Sequence, residues 1–174
     1  MEIKVGDTIL FNWNKGIFGK LITIYNYLHY KQSKCTHTGK VSSIQEDGLV
    51  WVHEAIWKKD EKDFQAYPYT SEWLKQSVSN GTIIIKRPKI KLNKVKEVCE
   101  SYEGVTYDWL SVLLMPFKLF IPTLKFGTCS ELGGRIDYDC SDKKLNVAEE
   151  FGKHWEKVSP MDFYLSTQYE TING

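Results

Sequence analysis

Apolar and polar positions along the chain predict strands mainly in the first half and helices mainly in the second. Runs rich in β-branched and aromatic residues, bounded by turn residues, predict strands over 7–12, 36–44, 49–55 and 81–88. The turn sequence QEDG joins the second and third of these runs, which together form a predicted hairpin. Residues 158–167 predict a turn and a closing strand. This order is typical of an α+β domain built on an antiparallel sheet.

Helical spacing is clearest over 14–29, which predicts a short amphipathic helix. Residues 92–104 predict a helix that begins at an asparagine cap and ends at Gly104. A further short helix is expected over 129–136, although two adjacent glycines oppose a longer one. The segment 56–76 is charged and irregular, with one short helix expected near its end. The apolar positions that recur in the first helix are Ile17, Leu21, Ile24, Tyr25 and Leu28.

The composition fits one globular domain over residues 1–174 with a hydrophobic core of ordinary size. Apolar residues make up 42% and charged residues 26% of the chain, proportions that argue against disorder. The formal net charge of +1 provides no overall field that attracts nucleic acid, so no nucleic-acid partner is expected. The basic run 86–96 is interpreted as the solvated start of a helix.

The chain carries no pattern that predicts export or a membrane span. Its N-terminus lacks a basic segment followed by an apolar one, which argues against a signal peptide. The most apolar stretch, 108–126, is interrupted by prolines and lysines and is interpreted as buried or groove-lining helix pieces. The chain is therefore expected in the cytoplasm, with a phage or host-cell setting also compatible.

The four cysteines include no CxxC pair and are expected to be reduced, since no secretion signal is predicted. Cys35 and His37 form a C-x-H pair, but a zinc site would need a second tight pair. Neither a metal nor another cofactor is therefore expected.

Cys129 is the candidate nucleophile, because it follows a capping residue, Thr128, at the start of a predicted helix. Free N–H groups and the dipole at a helix N-terminus stabilise a thiolate, which is the reactive form of cysteine. A neighbouring histidine lowers the pKa of such a thiol further. The alternative is a buried, unreactive core cysteine.

His37 is the candidate base, and a catalytic base needs a third polar group that holds its ring. Glu54 supplies that group if it lies opposite His37 in the predicted hairpin, and His53 then faces the other way. A register slip of one residue would exchange Glu54 and His53. The alternative is an exposed strand glutamate beside an ordinary polar histidine near a turn.

The ordered fragments GDTILF, CTHTGKV, VWVHEA, TYDWL and TCSEL resemble the circularly permuted branch of the NlpC-type papain-like cysteine hydrolases. This branch includes YiiX-like and YebB-like proteins and a poxvirus protein group, and its histidine strand precedes its cysteine helix, as here. The resemblance extends from Gly6 to about Thr167. Thr36 stands where serine is common, and the two glycines after Leu132 are unusual. The resemblance implies a papain-like fold, with an antiparallel sheet packed against helices and the nucleophile at a helix N-terminus.

The same resemblance implies a thiol hydrolase, either an amidase or peptidase or an acyl-ester hydrolase. Cys129, His37 and Glu54 would form its triad, and a thioester acyl-enzyme its intermediate. A small peptide, an amide or an acyl lipid would be the substrate. The Cys129 N–H and one more donor would hold the oxyanion; Tyr107 is a candidate for that donor, with core packing as its alternative role. There are two alternative functions: a lipid acyltransferase, and a non-catalytic peptide- or lipid-binding module on the same fold.

Overall fold

The computed structural model describes residues 1–13, 16–56, 63–114 and 126–172. Within these residues the chain forms eight strands and seven helices, with a 3-10 helix at Trp155–Lys157. The strands are β1 (Thr8–Phe11), β2 (His37–Ile44), β3 (Leu49–Ala55), β4 (Phe64–Thr70), β5 (Ile83–Pro88), β6 (Thr106–Tyr107), β7 (Phe126–Gly127) and β8 (Tyr169–Ile172). The helices are α1 (Gly16–Tyr30), α2 (Ser71–Ser79), α3 (Val95–Ser101), α4 (Trp109–Leu114), α5 (Cys129–Cys140), α6 (Val147–Glu150) and α7 (Pro160–Leu165).

Six strands form one antiparallel sheet in the order β4-β3-β2-β1-β5-β8. β2 and β3 are the predicted hairpin, and their register sets Gly39 opposite Glu54 and Lys40 opposite His53. β6 and β7 form a separate parallel pair. The prediction of an α+β domain with an antiparallel sheet packed against helices is confirmed.

Helices cover both faces of the sheet, but unequally. One face carries α3, α5 and α7, and Ile136 of α5 and Phe163 of α7 are fully buried there. The opposite face carries α2, whose Leu74 packs with Val52 and Ile85. Because side chains alternate along a strand, consecutive residues of β2 and β3 face these two different layers.

The segment 56–76 contains a strand that its irregular sequence did not predict. β4 pairs with β3 along its whole length. The strand tolerates Pro68 because it lies at the edge of the sheet, where a missing N–H costs no ladder bond. The short helix expected near the end of the segment is α2, and residues 57–62 lie outside the described residues.

The prediction of a closing strand within 158–167 is wrong, because this segment contains α7. Ser159 and Asp162 form a reciprocal capping box, and Pro160 occupies the first turn, where its fixed φ suits a helix. The closing strand, β8, begins only at Tyr169. α3 is also shorter than predicted, since it begins after Lys94, whose φ is 51°, and has no asparagine cap.

The interpretation of the basic run 86–96 as a solvated helix start holds for its end, where Lys94 and Lys96 are exposed at the start of α3, but is wrong for its beginning. Lys86 and Arg87 belong to β5, and Lys86 is buried. Arg87 donates to both oxygens of the Asp7 carboxylate, each at 2.8 Å. The side chains of Lys86 and Arg87 are therefore part of the packed sheet and do not form a solvated helix start.

The apolar stretch 108–126 begins with the short helix α4, while its residues 115–125 lie outside the described part of the chain. Among the described residues, we find no helix with the length and apolar character needed to cross a bilayer.

α1 lies where its spacing predicted, but its apolar positions do not form a buried face. Ile17, Ile24 and Leu28 are 67%, 50% and 57% exposed, whereas Ile22 and Tyr25 are buried. Because α1 is apolar on nearly all sides, its spacing predicts a helix without indicating which side packs.

A buried ion pair ties α5 to the centre of the sheet. Lys40 Nζ of β2 lies 2.5 Å from Asp137 Oδ1 of α5, and both side chains are almost fully buried. The Tyr169 hydroxyl donates to the other Asp137 oxygen at 2.5 Å. Burial raises the pKa of the Asp137 carboxyl, although the Lys40 ammonium acts in the opposite direction. The pair holds α5, which begins at Cys129, against β2, which begins at His37.

We expect Lys40→Met to lower the free energy of unfolding by about 3–5 kcal/mol, because it leaves Asp137 buried without its cation. The double variant Lys40→Met/Asp137→Asn should lose much less, since it removes both charges and keeps an acceptor for Tyr169. Urea unfolding of the parent and both variants measures these differences. A single variant as stable as the parent would contradict the expectation.

Candidate active site

Cys129 is the first residue of α5, and local hydrogen bonds fix the turn that carries it. Thr128 caps the helix, because its Oγ1 accepts from the Glu131 N–H at 3.2 Å. Ser130 donates to the Val158 carbonyl at 2.6 Å and anchors the same turn. The Cys129 sulfur therefore lies at the positive end of a 12-residue helix, a position that favours a thiolate.

The two glycines of α5 do not end the helix, and one of them, Gly134, allows close packing. α5 continues through Gly133 and Gly134 to Cys140, beyond the predicted end at residue 136. A Cβ atom at Gly134 would lie 2.8 Å from the ring of Trp155. The glycine therefore accommodates a neighbouring ring in the space that a side chain would fill.

His37 begins β2 and is held by Glu54 of β3. Nε2 of His37 lies 2.7 Å from Oε2 of Glu54, whose side chain is fully buried. The sequence suggested that the two residues lie directly opposite each other, but they do not. Gly39 pairs with Glu54, and His37 lies two residues away from Gly39 on the same face of β2. A Cβ atom at Gly39 would lie 2.6 Å from Val52 Cγ1 and 2.8 Å from Glu54 Cγ. The absence of that atom lets the Glu54 side chain lie across β2 and reach His37.

His37 and Cys129 form the central contact of the site. Glu54 engages Nε2 of His37, which leaves Nδ1 available to interact with the sulfur. Burial alone would raise the pKa of the Cys129 thiol, but the charge and hydrogen bond of His37 lower it below its ordinary value. Burial alone would lower the pKa of His37, but Cys129 and Glu54 raise it to about 10. Both shifts favour a thiolate–imidazolium pair.

Two neighbours that the sequence did not point to act on this pair. Thr38, the residue after His37 in β2, lies close to the Cys129 sulfur, and its backbone lowers the pKa of the thiol further. The Trp13 ring stacks on His37, with centroids 5.2 Å apart and planes 10° apart. Thr36 Oγ1 donates to the Trp13 carbonyl at 2.7 Å. An aromatic face over a charged imidazole stabilises the cation.

Glu54 has a further neighbour in Tyr69 of β4. Burial, followed by the charge of the nearby Glu54 carboxylate, raises the pKa of Tyr69. The tyrosine therefore remains a neutral donor. Since β4 was not predicted, no sequence signal indicated that Tyr69 lies near Glu54. The position of Trp13 beside His37 could have been inferred once Phe11 was paired with His37.

Tyr107 borders Cys129 from the other side. It pairs with Gly127 in the β6–β7 ladder, two residues before the sulfur. Burial, followed by the charge of Cys129, raises the pKa of Tyr107 well above its ordinary value. Its hydroxyl is therefore a neutral donor close to the nucleophile.

An open pocket of about 210 Å³ leads to the site. His37 and Tyr107, the two residues that flank Cys129, form part of its wall, while Cys129 itself is only 3% exposed. Ile17, Phe18 and Ile22 of α1 contribute an apolar wall. The pocket admits a ligand that presents an apolar group beside the histidine.

His53 is separated from this arrangement. It projects from the opposite face of β3, where Nε2 lies 2.8 Å from Glu103 Oε1. The structure thus places Glu54, and not His53, beside His37, while the roles of Cys129, His37, Glu54 and Tyr107 stay predictions.

In the described part of the chain, no three His, Cys, Asp or Glu side chains are grouped so that they could hold a metal ion.

No protein-family model, curated protein or solved structure matches this chain. The function therefore has to be argued from the geometry of the site and from the order of its residues.

Proposed function

We propose that this protein is a thiol hydrolase that cleaves an amide, ester or thioester through an acyl-enzyme at Cys129. The observation that carries the proposal is the contact of a helix-start cysteine with a histidine whose second ring nitrogen is held by a buried glutamate. Nucleophile, base and orienting group in this arrangement are the requirements of nucleophilic acyl transfer. The histidine-first order of the chain supports the resemblance to the permuted papain-like hydrolases.

In the proposed reaction, the Cys129 thiolate attacks the carbonyl carbon of the substrate. A C–S bond forms, and the electron pair of the carbonyl double bond moves to oxygen. When that oxyanion collapses, the bond to the leaving group breaks, and His37 gives its proton to the leaving group. His37 then takes a proton from water as the water attacks the thioester. Collapse of this second oxyanion breaks the C–S bond, which releases the acid and leaves Cys129 as the thiolate beside the His37 imidazolium.

The oxyanion needs donors aimed at the position where its charge develops. The N–H of Cys129 has no partner within its own helix, because it belongs to the first turn. The Tyr107 hydroxyl is a second donor, since its raised pKa keeps it protonated and it lies beside Cys129. Both groups sit on rigid elements, the start of α5 and the β6–β7 pair.

Tyr107→Phe is expected to lower kcat by about 100-fold with little change in KM, because a donor to the oxyanion acts mainly in the transition state. Tyr102→Phe is the matched control, since its hydroxyl donates to Asp139 on the surface. Steady-state kinetics on an activated ester measure both. If both variants lower kcat by the same small factor, Tyr107 packs in the core and is not an oxyanion donor.

The apolar wall of the pocket supports an uncharged acyl group as the part of the substrate that lies beside His37. A short aliphatic acyl chain and an apolar peptide side chain both meet this requirement. Transfer of the acyl group to an acceptor other than water would change only the last step of the reaction.

The test is mass spectrometry of the folded chain after incubation with acetyl, hexanoyl and alanyl p-nitrophenyl esters. One acyl adduct should form on Cys129 and decay with product release, and none should form in Cys129→Ala. Loss of the adduct as free acid supports hydrolysis, and its capture by an added amine or alcohol supports transfer. If no ester acylates Cys129, the alternative of a non-catalytic binding module replaces the proposal.

A further inference from the structure

The outer face of α1 presents a continuous apolar stripe to solvent. We call it the α1 stripe, and it consists of Ile17, Leu21, Ile24 and Leu28, which follow one another at helical spacing. Three of the four side chains are at least half exposed, and Leu21 is partly buried. Single exposed apolar residues are ordinary in soluble proteins, but a contiguous row of them marks a surface that another phase or molecule covers.

The charged side chains of the segment that contains α1 have a single sign. Residues 8–45 contain no aspartate or glutamate. Lys20 lies along one border of the stripe, and Lys31 and Lys34 follow its C-terminal end; all three are exposed. Among the salt bridges formed between described residues, none engages these three lysines. Tyr27, which is 56% exposed, lies beside Lys20 on the same border.

The α1 stripe is continuous with the pocket of the candidate site. Ile17 belongs to both the α1 stripe and the pocket lining. Phe18 and Ile22 line the same pocket together with His37. α4 packs against α1, and its Trp109 and Leu113 are 41% and 38% exposed. Whatever covers the α1 stripe therefore lies at the mouth of the pocket.

We infer that α1 docks on an anionic lipid surface, with the α1 stripe in the acyl region and Lys20, Lys31 and Lys34 among the headgroups. An apolar face bordered by lysines and tyrosine, on a helix of about 22 Å, has the chemistry of an interfacial helix. A second copy of the chain fits less well, because a two-fold contact through this face would bring the same lysines together with no carboxylate between them. The docking does not rest on the proposed catalysis.

Co-sedimentation with vesicles tests the inference. The full chain carrying Cys129→Ala, which cannot turn over lipid, should bind phosphatidylcholine vesicles that contain about 30 mol% phosphatidylserine far better than phosphatidylcholine alone. Ile24→Glu/Leu28→Glu should lower the partition coefficient by at least about tenfold, because it removes two exposed aliphatic side chains from the acyl region. Ile44→Glu is the matched control, since Ile44 is 38% exposed at the end of β2 and should bind as the parent does.

Three outcomes would overturn the inference. They are equal partition of parent and double variant, no preference for anionic vesicles, and a dimer in sedimentation equilibrium that Ile24→Glu/Leu28→Glu converts to a monomer. The last outcome would assign the α1 stripe to a second copy. Acylation of Cys129 by soluble esters is measured without vesicles, so failure of docking and failure of the proposed reaction are separate results.

Discussion

Iodoacetamide at about pH 6 is expected to alkylate Cys129 about a hundredfold faster than any of the other three cysteines. The reactive species is the thiolate, and the contact with His37 lowers the pKa of Cys129. Burial instead raises the pKa of Cys35 and Cys99, and that of Cys140 to about 12. Peptide mass spectrometry after timed labelling of the folded chain measures the four rates separately.

The pH dependence of this labelling has a defined sign. The Cys129 thiolate is lost as the pH falls through the lowered pKa of its thiol, and the imidazolium of His37 is lost as the pH rises through about 10. The labelling rate should therefore be nearly flat between about pH 6 and about pH 9. His37→Ala should restore the rise of about tenfold per pH unit that an ordinary thiol shows below its pKa. A parent protein that already shows this rise has no ion pair at Cys129.

His37→Ala is expected to lower kcat/KM by about 10³–10⁴-fold, because it removes both the proton carrier and the cation that stabilises the thiolate. Glu54→Gln should cost about 10–100-fold, since the amide still accepts a hydrogen bond from the ring but has no charge to stabilise the imidazolium. Hydrolysis of the best ester from the acylation panel measures both variants, and thermal unfolding checks that both remain folded.

His53→Ala is the control for these two variants, since it removes a histidine from the opposite face of β3. It should change kcat/KM by less than about threefold after correction for the folded fraction. If His53→Ala abolishes turnover while Glu54→Gln does not, then His53 and not Glu54 supports the base, and the proposed triad is wrong.

The hairpin shows how far the sequence predicts this site. Alternation along two strands predicted that Glu54 and His53 face opposite ways, and the structure places Glu54 beside His37. The pattern did not predict that Gly39, and not His37, is paired with Glu54, because hairpin register depends on the turn and on the β-bulge after Val41.

Contacts between distant segments account for what the sequence did not predict. Tyr69 reaches Glu54 from an edge strand, and Asp137 meets Lys40 across two layers, so neither contact has a local signal. In α1 the spacing identified the apolar residues but not their exposure, because a periodic pattern is independent of which side finds a packing partner.

The candidate site depends on the lack of a side chain at Gly39 as much as on the imidazole ring of His37. A chain with alanine at this position would retain every side chain proposed to take part in the chemistry and would still push the carboxylate away from its ring. Comparison of the proposed catalytic residues alone would classify such a chain as intact. Inspection of position 39 within β2 would show that the contact between Glu54 and His37 is lost.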